Sequence, residues 1–413
     1  MQKIEKILLV SSTFPSSEKD DVPGFVKDQV LALKKLHPET EFVVLAPHDS
    51  LSNTKKETKH KEYIERRFHY FWPFSLEKLA GHGIMPTLKK NKLYFLMIPF
   101  LFLFEVVSLF LLVRKFKPDY IYAHWFTPQG ISAGIVGLLS GTKFVFTSHS
   151  SDVIILKKIP ILGGATVRFF SKRAKAITVV SKRSYEKVRS FFSDKDWDTI
   201  SAKVKIIPMG VYLAPELSAN TLSKDKKRNI AFIGRFVEKK GIHYLIPAFE
   251  KYFSADPDSE LKIAGDGPWK DKLLSLANST NLPKDKIQFL GYLQGEKKQN
   301  FLQESDIIVV PSIISKDGDS EGLPVVLLEG MASGKICIAT FESGADDIID
   351  DGINGFLIPE KDPDAISNSL LKIKSLSSAE KANIQKKAIE TATKFEWSAV
   401  AKQHWDFLFH DGQ

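Results

Sequence analysis

The chain has 413 residues, 43% hydrophobic and 26% charged, the balance of a globular protein with room for two to three domains of roughly 150 residues. This excludes disorder, collagen-like repeats and a polytopic membrane protein, and the single cysteine, Cys337, excludes a disulfide framework or a cysteine-based zinc site and points to a reducing compartment. The net charge of +9 is uneven: Met1–Tyr212 holds 33 of the 58 basic and 19 of the 49 acidic residues (+14), leaving 25 against 30 (−5) for Leu213–Gln413.

A basic front half attracts anions, whether nucleic acid, phosphorylated ligands or an anionic membrane surface. Its aromatic residues lie in apolar runs and are not interleaved with arginine, and no nucleic-acid motif is present. No nucleic-acid partner is therefore expected. The first apolar run, Ile7–Val10, is too short for a secretory signal, which gives a cytoplasmic expectation.

Along the first half, KILLVSS, FVVLAP, YIYAHW, KFVFTSH, AITVVS and VKIIPMG read as buried strands, with helical patterns such as Gly24–Leu36 and Gly130–Ser140 between them. The second half repeats the scheme with NIAFIGR, ELKIAGDG, KIQFLGYL, DIIVVPS, KICIATF and GFLIP. Strands this apolar must be covered on both faces, as in parallel α/β sheets. The expected fold is α/β: two doubly wound, Rossmann-like domains facing a central cleft, residues 1–212 and 213–392. The polar stretch Tyr212–Arg228, with its SKDKKR charge run, joins them. The closing helix in KFEWSAVAKQHWDFLF, about 393–413, is expected to return to the first domain through Trp397 and Trp405.

One segment departs from this pattern. Leu93–Val113 (LYFLMIPFLFLFEVVSLFLLV) would span about 32 Å as a helix, enough to cross a bilayer. However, YIYAHW follows within a few residues and must rejoin the first sheet, and Pro99 would kink a continuous helix. Two readings stay open: a helix or helical hairpin packed in the domain, or an apolar surface lying in a membrane interface between Lys89, Lys90, Lys92 and Arg114, Lys115, Lys117.

The chemistry is densest at Pro311–Thr340. A strand, DIIVVPS, leads through a loop to a helix expected to open near Gly322, with Pro324 in its first turn. Glu321 and Glu329, eight positions apart, can then reach one ligand, and the free N–H groups of the helix start suit a phosphate or a sugar hydroxyl. Earlier, Arg235 and Lys240 follow the end of NIAFIGR, where a planar fork and a compact cation can converge on one diphosphate.

EGLPVVLLEGMASG resembles the paired-glutamate signature of the family 4 glycosyltransferases, retaining enzymes of GT-B fold. IGRFVEKKGIHYLI, AGDGP, FLGYL, TSHSSD (Thr147–Asp152) and FPSSEKDDVPGFVKDQV follow the family's order over nearly the whole chain, and the wording is most similar to enzymes that build bacterial surface polysaccharides. The resemblance implies a nucleotide diphosphate sugar as donor, held by the second domain, and a glycan or lipid-linked hydroxyl acceptor on the first. It implies that Arg235 and Lys240 hold the diphosphate and stabilise its departure, and that Glu321, Gly322 and Leu323 meet the transferred sugar. Glu329 is implied to bind ribose hydroxyls, Gly24 to let donor and acceptor approach the backbone, and His149 to contact the transferred sugar.

The family's glycine after this histidine is replaced by Ser150 and Ser151, and its later Pro-Glu by Asp346 and Asp347, which are not assigned to the site. His124 reads as a core or rim residue. Asp317-Gly-Asp319 has the spacing of a metal-binding pair, but Arg235 and Lys240 already supply positive charge, so no essential metal or other cofactor is expected. Two rivals from other classes are an epimerase of the same fold, which would turn over donor without acceptor, and a non-catalytic nucleotide-sugar-binding module at a membrane surface. A dinucleotide-binding dehydrogenase is a poor reading because no Gly-x-Gly-x-x-Gly follows the first strand.

Overall fold

The apolar runs of the first half form a twisted sheet in the computed structural model, which describes residues 5–15, 24–52, 54–80, 84, 87–88, 91–213, 228–316 and 318–410. Its strands are β1 (Lys6–Val10), β2 (Glu41–Pro47), β3 (Glu57–Lys59), β4 (Ile64–Phe68), β5 (Tyr120–His124), β6 (Lys143–Ser148), β7 (Ile177–Val179) and β8 (Val204–Ile206). They lie in the order β3-β4-β2-β1-β5-β6-β7-β8, and only β3 runs antiparallel to its neighbour. The second half forms a six-stranded parallel sheet from β9 (Asn229–Ile233), β10 (Glu260–Ala264), β11 (Ile287–Gly291), β12 (Ile307–Val310), β13 (Ile336–Thr340) and β14 (Phe356–Ile358), in the order β11-β10-β9-β12-β13-β14. The chain divides into two compact units, Met1–Met209 with Trp397–Gln413, and Gly210–Glu396.

Each sheet is covered on both faces. In the first unit one face packs Leu8, Val10, Ile121 and Phe146 against the helices Ile98–Phe116, Ile131–Ser140 and Leu162–Arg173. The other face packs Ile7, Leu9, Tyr122 and Val145 against the helices Phe25–Leu36 and Trp397–Leu408. The last helix is fixed by stacking of Trp405 on His37 at 3.6 Å and by the hydrogen bond from Tyr120 Oη to the Phe409 carbonyl (2.8 Å).

Three local expectations are corrected. β8 is an edge strand with only Val204 buried, because no strand follows it and Lys205 and Ile206 face outward. β3 and β4 form a hairpin that the sequence pattern did not suggest, because β4 reads Ile-Glu-Arg-Arg-Phe. Two of those charges are buried as a pair, Arg67 Nε to Glu65 Oε1 at 2.7 Å, and Arg67 also donates to the Phe14 carbonyl at 2.9 Å. Pro99 does not kink a long helix. It sits at the start of Ile98–Phe116, where a missing N–H is harmless, and the preceding turn Lys92–Met97 is 3-10.

That helix packs one face into the domain and leaves the other exposed. Leu101, Glu105, Leu109, Leu112 and Val113 recur at helical spacing and pack inward, while Leu96, Leu103 and Leu111 remain 71%, 54% and 62% exposed. Lys89 and Lys90 lie outside the described residues. Glu105 is fully buried and accepts a hydrogen bond from Gln129 Nε2 at 2.9 Å. Burial outweighs that bond and raises its pKa to about 7.

A carboxyl whose folded pKa exceeds its unfolded one contributes stability at low pH and loses it as pH rises through the folded value. Glu105→Gln is therefore expected to raise stability at pH 8 by roughly 2–4 kcal/mol, with the gain vanishing near pH 5. Denaturant titrations at the two pH values check this.

Candidate functional site

In doubly wound sheets ligands bind beyond the carboxyl ends of the strands, where the strand order reverses. The reversal lies between β1 and β5 in the first unit and between β9 and β12 in the second. Arg235 and Glu321 follow the two strands that flank the second of these points.

In the second unit Arg235 follows Gly234 directly beyond β9. The loop is pinned to the end of β10 by hydrogen bonds from Gly234 N to the Ala264 carbonyl (3.0 Å) and from Phe236 N to the Asp266 carbonyl (2.8 Å). Lys240 ends a 3-10 turn and is followed by Gly241 at φ +65°. A Cβ on Gly241 would stand 1.7 Å from the Pro311 carbonyl oxygen, so only glycine lets this turn close on the segment leaving β12. The contact is locked by a hydrogen bond from Ile313 N to the Lys239 carbonyl (2.8 Å). Lys240 Cε lies 3.7 Å from where a Cβ on Gly234 would stand, so its side chain runs back toward the end of β9.

This approach brings opposite charges together. Lys240 Nζ lies 3.2 Å from Glu321 Oε2, and Lys239 Nζ lies 3.4 Å from Glu321 Oε1 and 3.1 Å from Asp319 Oδ2. Burial by itself would raise the Glu321 pKa, but Lys239 and Lys240 outweigh it and hold the carboxyl at about 2. Burial likewise opposes charge on Lys239, and Glu321 with Asp319 reverse the direction and push its pKa up. Burial lowers the pKa of Arg235, whose guanidinium still stays charged at neutral pH. Two lysines thus face two carboxylates in the cluster, and Arg235 adds a third cation earlier in the same loop beyond β9.

From sequence alone, Lys239 has no assigned role. Its alternation with Lys240 opposite Asp319 and Glu321 was the available signal, but only the fold shows that the two stretches meet. Asp317 lies outside the described residues.

Glu321 and Glu329 do not share a partner. Glu329, on the helix Val325–Ala332, pairs through Oε1 with Lys298 Nζ at 2.6 Å, a second residue missed from sequence. Its Oε2 is buried and without a hydrogen-bond partner among the described residues, a carboxylate oxygen available to a hydroxyl donor. The helix opens at Val325 and not near Gly322. Pro324 flanks it in an extended conformation (φ −66°, ψ 120°), so Gly322 and Leu323 belong to the loop between Glu321 and the helix.

In the first unit His149 follows β6, and its ring lies 4.7 Å from Trp125 and 5.3 Å from Phe25, centroid to centroid. Burial, with a contribution from His404, lowers its pKa to about 3, so the imidazole is neutral. Asp152 accepts hydrogen bonds from His149 N (3.1 Å), Ser148 Oγ (2.9 Å) and Phe126 N (2.6 Å) and so fixes the turn. Ser150 stands at φ +91° and is fully buried. It thus adopts the left-handed conformation that the family's glycine takes freely, with Lys187 Nζ donating to its hydroxyl at 2.5 Å.

Gly24 caps the helix Phe25–Leu36 at φ −78°, and a Cβ there would meet only Asp28 Oδ2, at 3.6 Å. Nothing inside the described fold requires glycine at that position. His124 is fully buried, with Nδ1 3.1 Å from His149 Nε2. Elsewhere in this unit, His48, His69 and Glu77 bring metal-ligand chemistry together. Both imidazoles contact Glu77 Oε2, and Tyr70 N and Phe71 N donate to Oε1, so the carboxylate is fully engaged as a tie between the β2 and β4 ends.

Comparison with known proteins matches residues 43–214 to the model described as Glycosyltransferase Family 4 and residues 214–394 to that described as Glycosyl transferases group 1. WcaL of Salmonella typhimurium, a glycosyltransferase assigned to colanic acid biosynthesis, is 28% identical over 294 residues, 70% of each chain. TuaC of Bacillus subtilis, assigned to teichuronic acid biosynthesis, is 25% identical over 355 residues, 79% of this chain and 78% of its own. Among solved structures, sucrose-phosphate synthase from Thermosynechococcus elongatus superposes with a TM-score of 0.74 at 19% identity, covering 97% of both chains. Anabaena HepE in complex with UDP and glucose gives 0.69 at 17%, covering 98% of this chain and 99% of its own.

Proposed function

The chain belongs to the family 4 glycosyltransferases of GT-B fold, and from that premise we propose that it moves a sugar, with retention of configuration, from a nucleotide diphosphate sugar to a hydroxyl of a surface-polysaccharide intermediate. The observation that carries this reading is the cation cluster at the β9–β12 switch point. Lys239 and Lys240 are held by ion pairs before any ligand arrives, so with Arg235 from the same loop they can stabilise charge growing on a departing diphosphate with little reorganisation. They supply the positive charge that a divalent ion provides in other transferases, and the mechanism needs no metal.

Glu329, with its free buried oxygen, suits ribose hydroxyls. Glu321 serves the transferred sugar together with the backbone of Gly322 and Leu323, and His149 hydrogen-bonds the same sugar. No carboxylate among the described residues is assigned as a covalent nucleophile, so in this proposal the acceptor attacks on the face from which the diphosphate leaves.

A uridine nucleotide is the first donor to test, since HepE is a fold neighbour solved with UDP and glucose. A thermal-shift panel of nucleotide sugars decides the matter, because a ligand bound only by the native state raises the melting temperature. A rise with one nucleotide sugar supports the reading and names the donor; no rise across the panel contradicts it.

The acceptor unit acts at the inner face of the membrane in this proposal, as a peripheral enzyme in the cytoplasm. The helix Ile98–Phe116 returns from the β4 end to the start of β5, so its amino end lies at the carboxyl edge of the sheet, where His149 also sits. There Phe71, just past β4, contacts Phe100 at 5.6 Å between ring centroids, beside Trp72, which is 80% exposed. Lys92, Arg114, Lys115 and Lys117 are exposed around the outward face, matching an anionic lipid surface that holds a lipid-linked acceptor. Flotation with anionic vesicles at low salt is expected to carry the protein, and Leu96→Glu with Leu103→Glu to abolish it. Equal flotation of both proteins, or none of either, would remove the membrane from the account.

A further inference from the structure

We infer that His124 is a positioning residue: it donates from Nδ1 to His149 Nε2 and so holds His149 in the tautomer that carries its proton on Nδ1. The inference rests on the proposed contact of His149 with the transferred sugar and specifies its direction. His149 gives a hydrogen bond to that sugar.

The argument is one of proton placement. His124 ends β5, with Thr147 of β6 as its register partner, and its ring is fully buried. Its Nδ1 and His149 Nε2 are 3.1 Å apart, so one proton lies between them. Both rings are neutral, since burial lowers both pKa values, that of His124 with help from His149 and His404. Two arrangements then remain.

If His124 carried its proton on Nε2, that N–H would be buried with no acceptor among the described residues, since Nε2 has no partner there. Orphaned buried N–H groups are the rarest kind of unpaired polar group. If the proton sits on Nδ1, the orphan is a lone pair, which interiors tolerate more readily. His404, on the helix Trp397–Leu408, behaves in the same way. Its Nδ1 lies 3.1 Å from the Val400 carbonyl and must donate, leaving Nε2 as a buried lone pair without a partner. With His149 Nε2 occupied as an acceptor, Nδ1–H is the one ring proton His149 can offer. Trp125 and Phe25 flank the ring and restrict its rotation.

Long-range ¹H–¹⁵N spectra of the intact protein test this without any substrate. The expected pattern is a protonated Nδ1 and an unprotonated Nε2 on both His124 and His149. A protonated Nε2 on His149 would overturn the inference. His124→Leu keeps an apolar volume but removes the donor, and is expected to lower kcat about 10–100-fold, by analogy with lost partners that orient metal-bound imidazoles, with little change in the donor KM. His124→Asn restores an N–H near the Nδ1 position and should recover most of that loss. A folded His124→Leu protein with unchanged kcat and an unchanged His149 spectrum also overturns it, and if the variant does not fold, the wild-type spectrum decides. Correct tautomers in a protein that transfers no sugar would fault the transferase reading and leave the proton placement standing.

Discussion

Arg235→Ala is expected to lower the turnover of sugar transfer by about 10²–10³ while leaving the melting temperature nearly unchanged. The first half of the expectation follows from where charge develops. The bond that breaks leaves its electrons on the diphosphate, and a guanidinium from the loop that also carries Lys240 interacts more strongly with that anion than with the intact donor. The second half follows from position. Arg235 lies in a loop beyond β9 whose shape is set by backbone hydrogen bonds from Gly234 and Phe236, and burial already works against its charge. Steady-state kinetics with the donor found by thermal shift, alongside a melting curve, separate the two. A large fall in stability would show that Arg235 is structural, and unchanged turnover would remove it from the mechanism.

Glu321→Gln is expected to have effects of opposite sign on binding and on turnover. In the unliganded protein Glu321 partly neutralises both Lys239 and Lys240. Removing its charge frees them for an anion, so a nucleoside diphosphate should bind at least as tightly. Turnover should fall about 10²-fold, because the carboxylate also serves the sugar.

Stability should drop as well, by about 3–5 kcal/mol, because two cations lose their partner in a largely buried cluster, and bound diphosphate should restore much of it. The pH dependence follows from the depressed pKa. A carboxyl held at about 2 contributes stability above its ordinary value of 4.5 and loses it as pH falls toward 2. Glu321→Gln should therefore flatten part of the acid limb. Parallel losses of nucleotide affinity and turnover would contradict this division of roles.

What the sequence disclosed was whatever depends on local pattern. Runs such as KILLVSS and DIIVVPS could only be buried strands, and their alternation with helices implied parallel sheets, which β1, β5, β9 and β12 form. β4 stayed hidden because its interior charges, Glu65 and Arg67, contradict the apolar pattern and are reconciled only by pairing with each other. The same limit governs the site. Motif order named Arg235, Lys240, Glu321 and Glu329, but Lys239 and Lys298 acquire meaning only from which loops approach one another. That approach depends on Gly241, whose missing side chain admits the Pro311 carbonyl. His124 looked like a core residue, and it is buried like one. Its role emerges from a 3.1 Å contact between two strand ends that no spacing rule encodes.

The central claim is that fixed cations, and no metal ion, hold the donor's diphosphate at the β9–β12 switch point. The most direct test titrates a nucleoside diphosphate and its monophosphate into the wild-type protein and into Lys240→Ala, all in excess chelator. The account predicts that the wild-type protein prefers the diphosphate by about 10–100-fold, the worth of one or two charge-assisted hydrogen bonds, and that Lys240→Ala loses most of this preference while its monophosphate affinity changes little. A preference that survives the substitution, or one that emerges only when divalent metal is added, would contradict it.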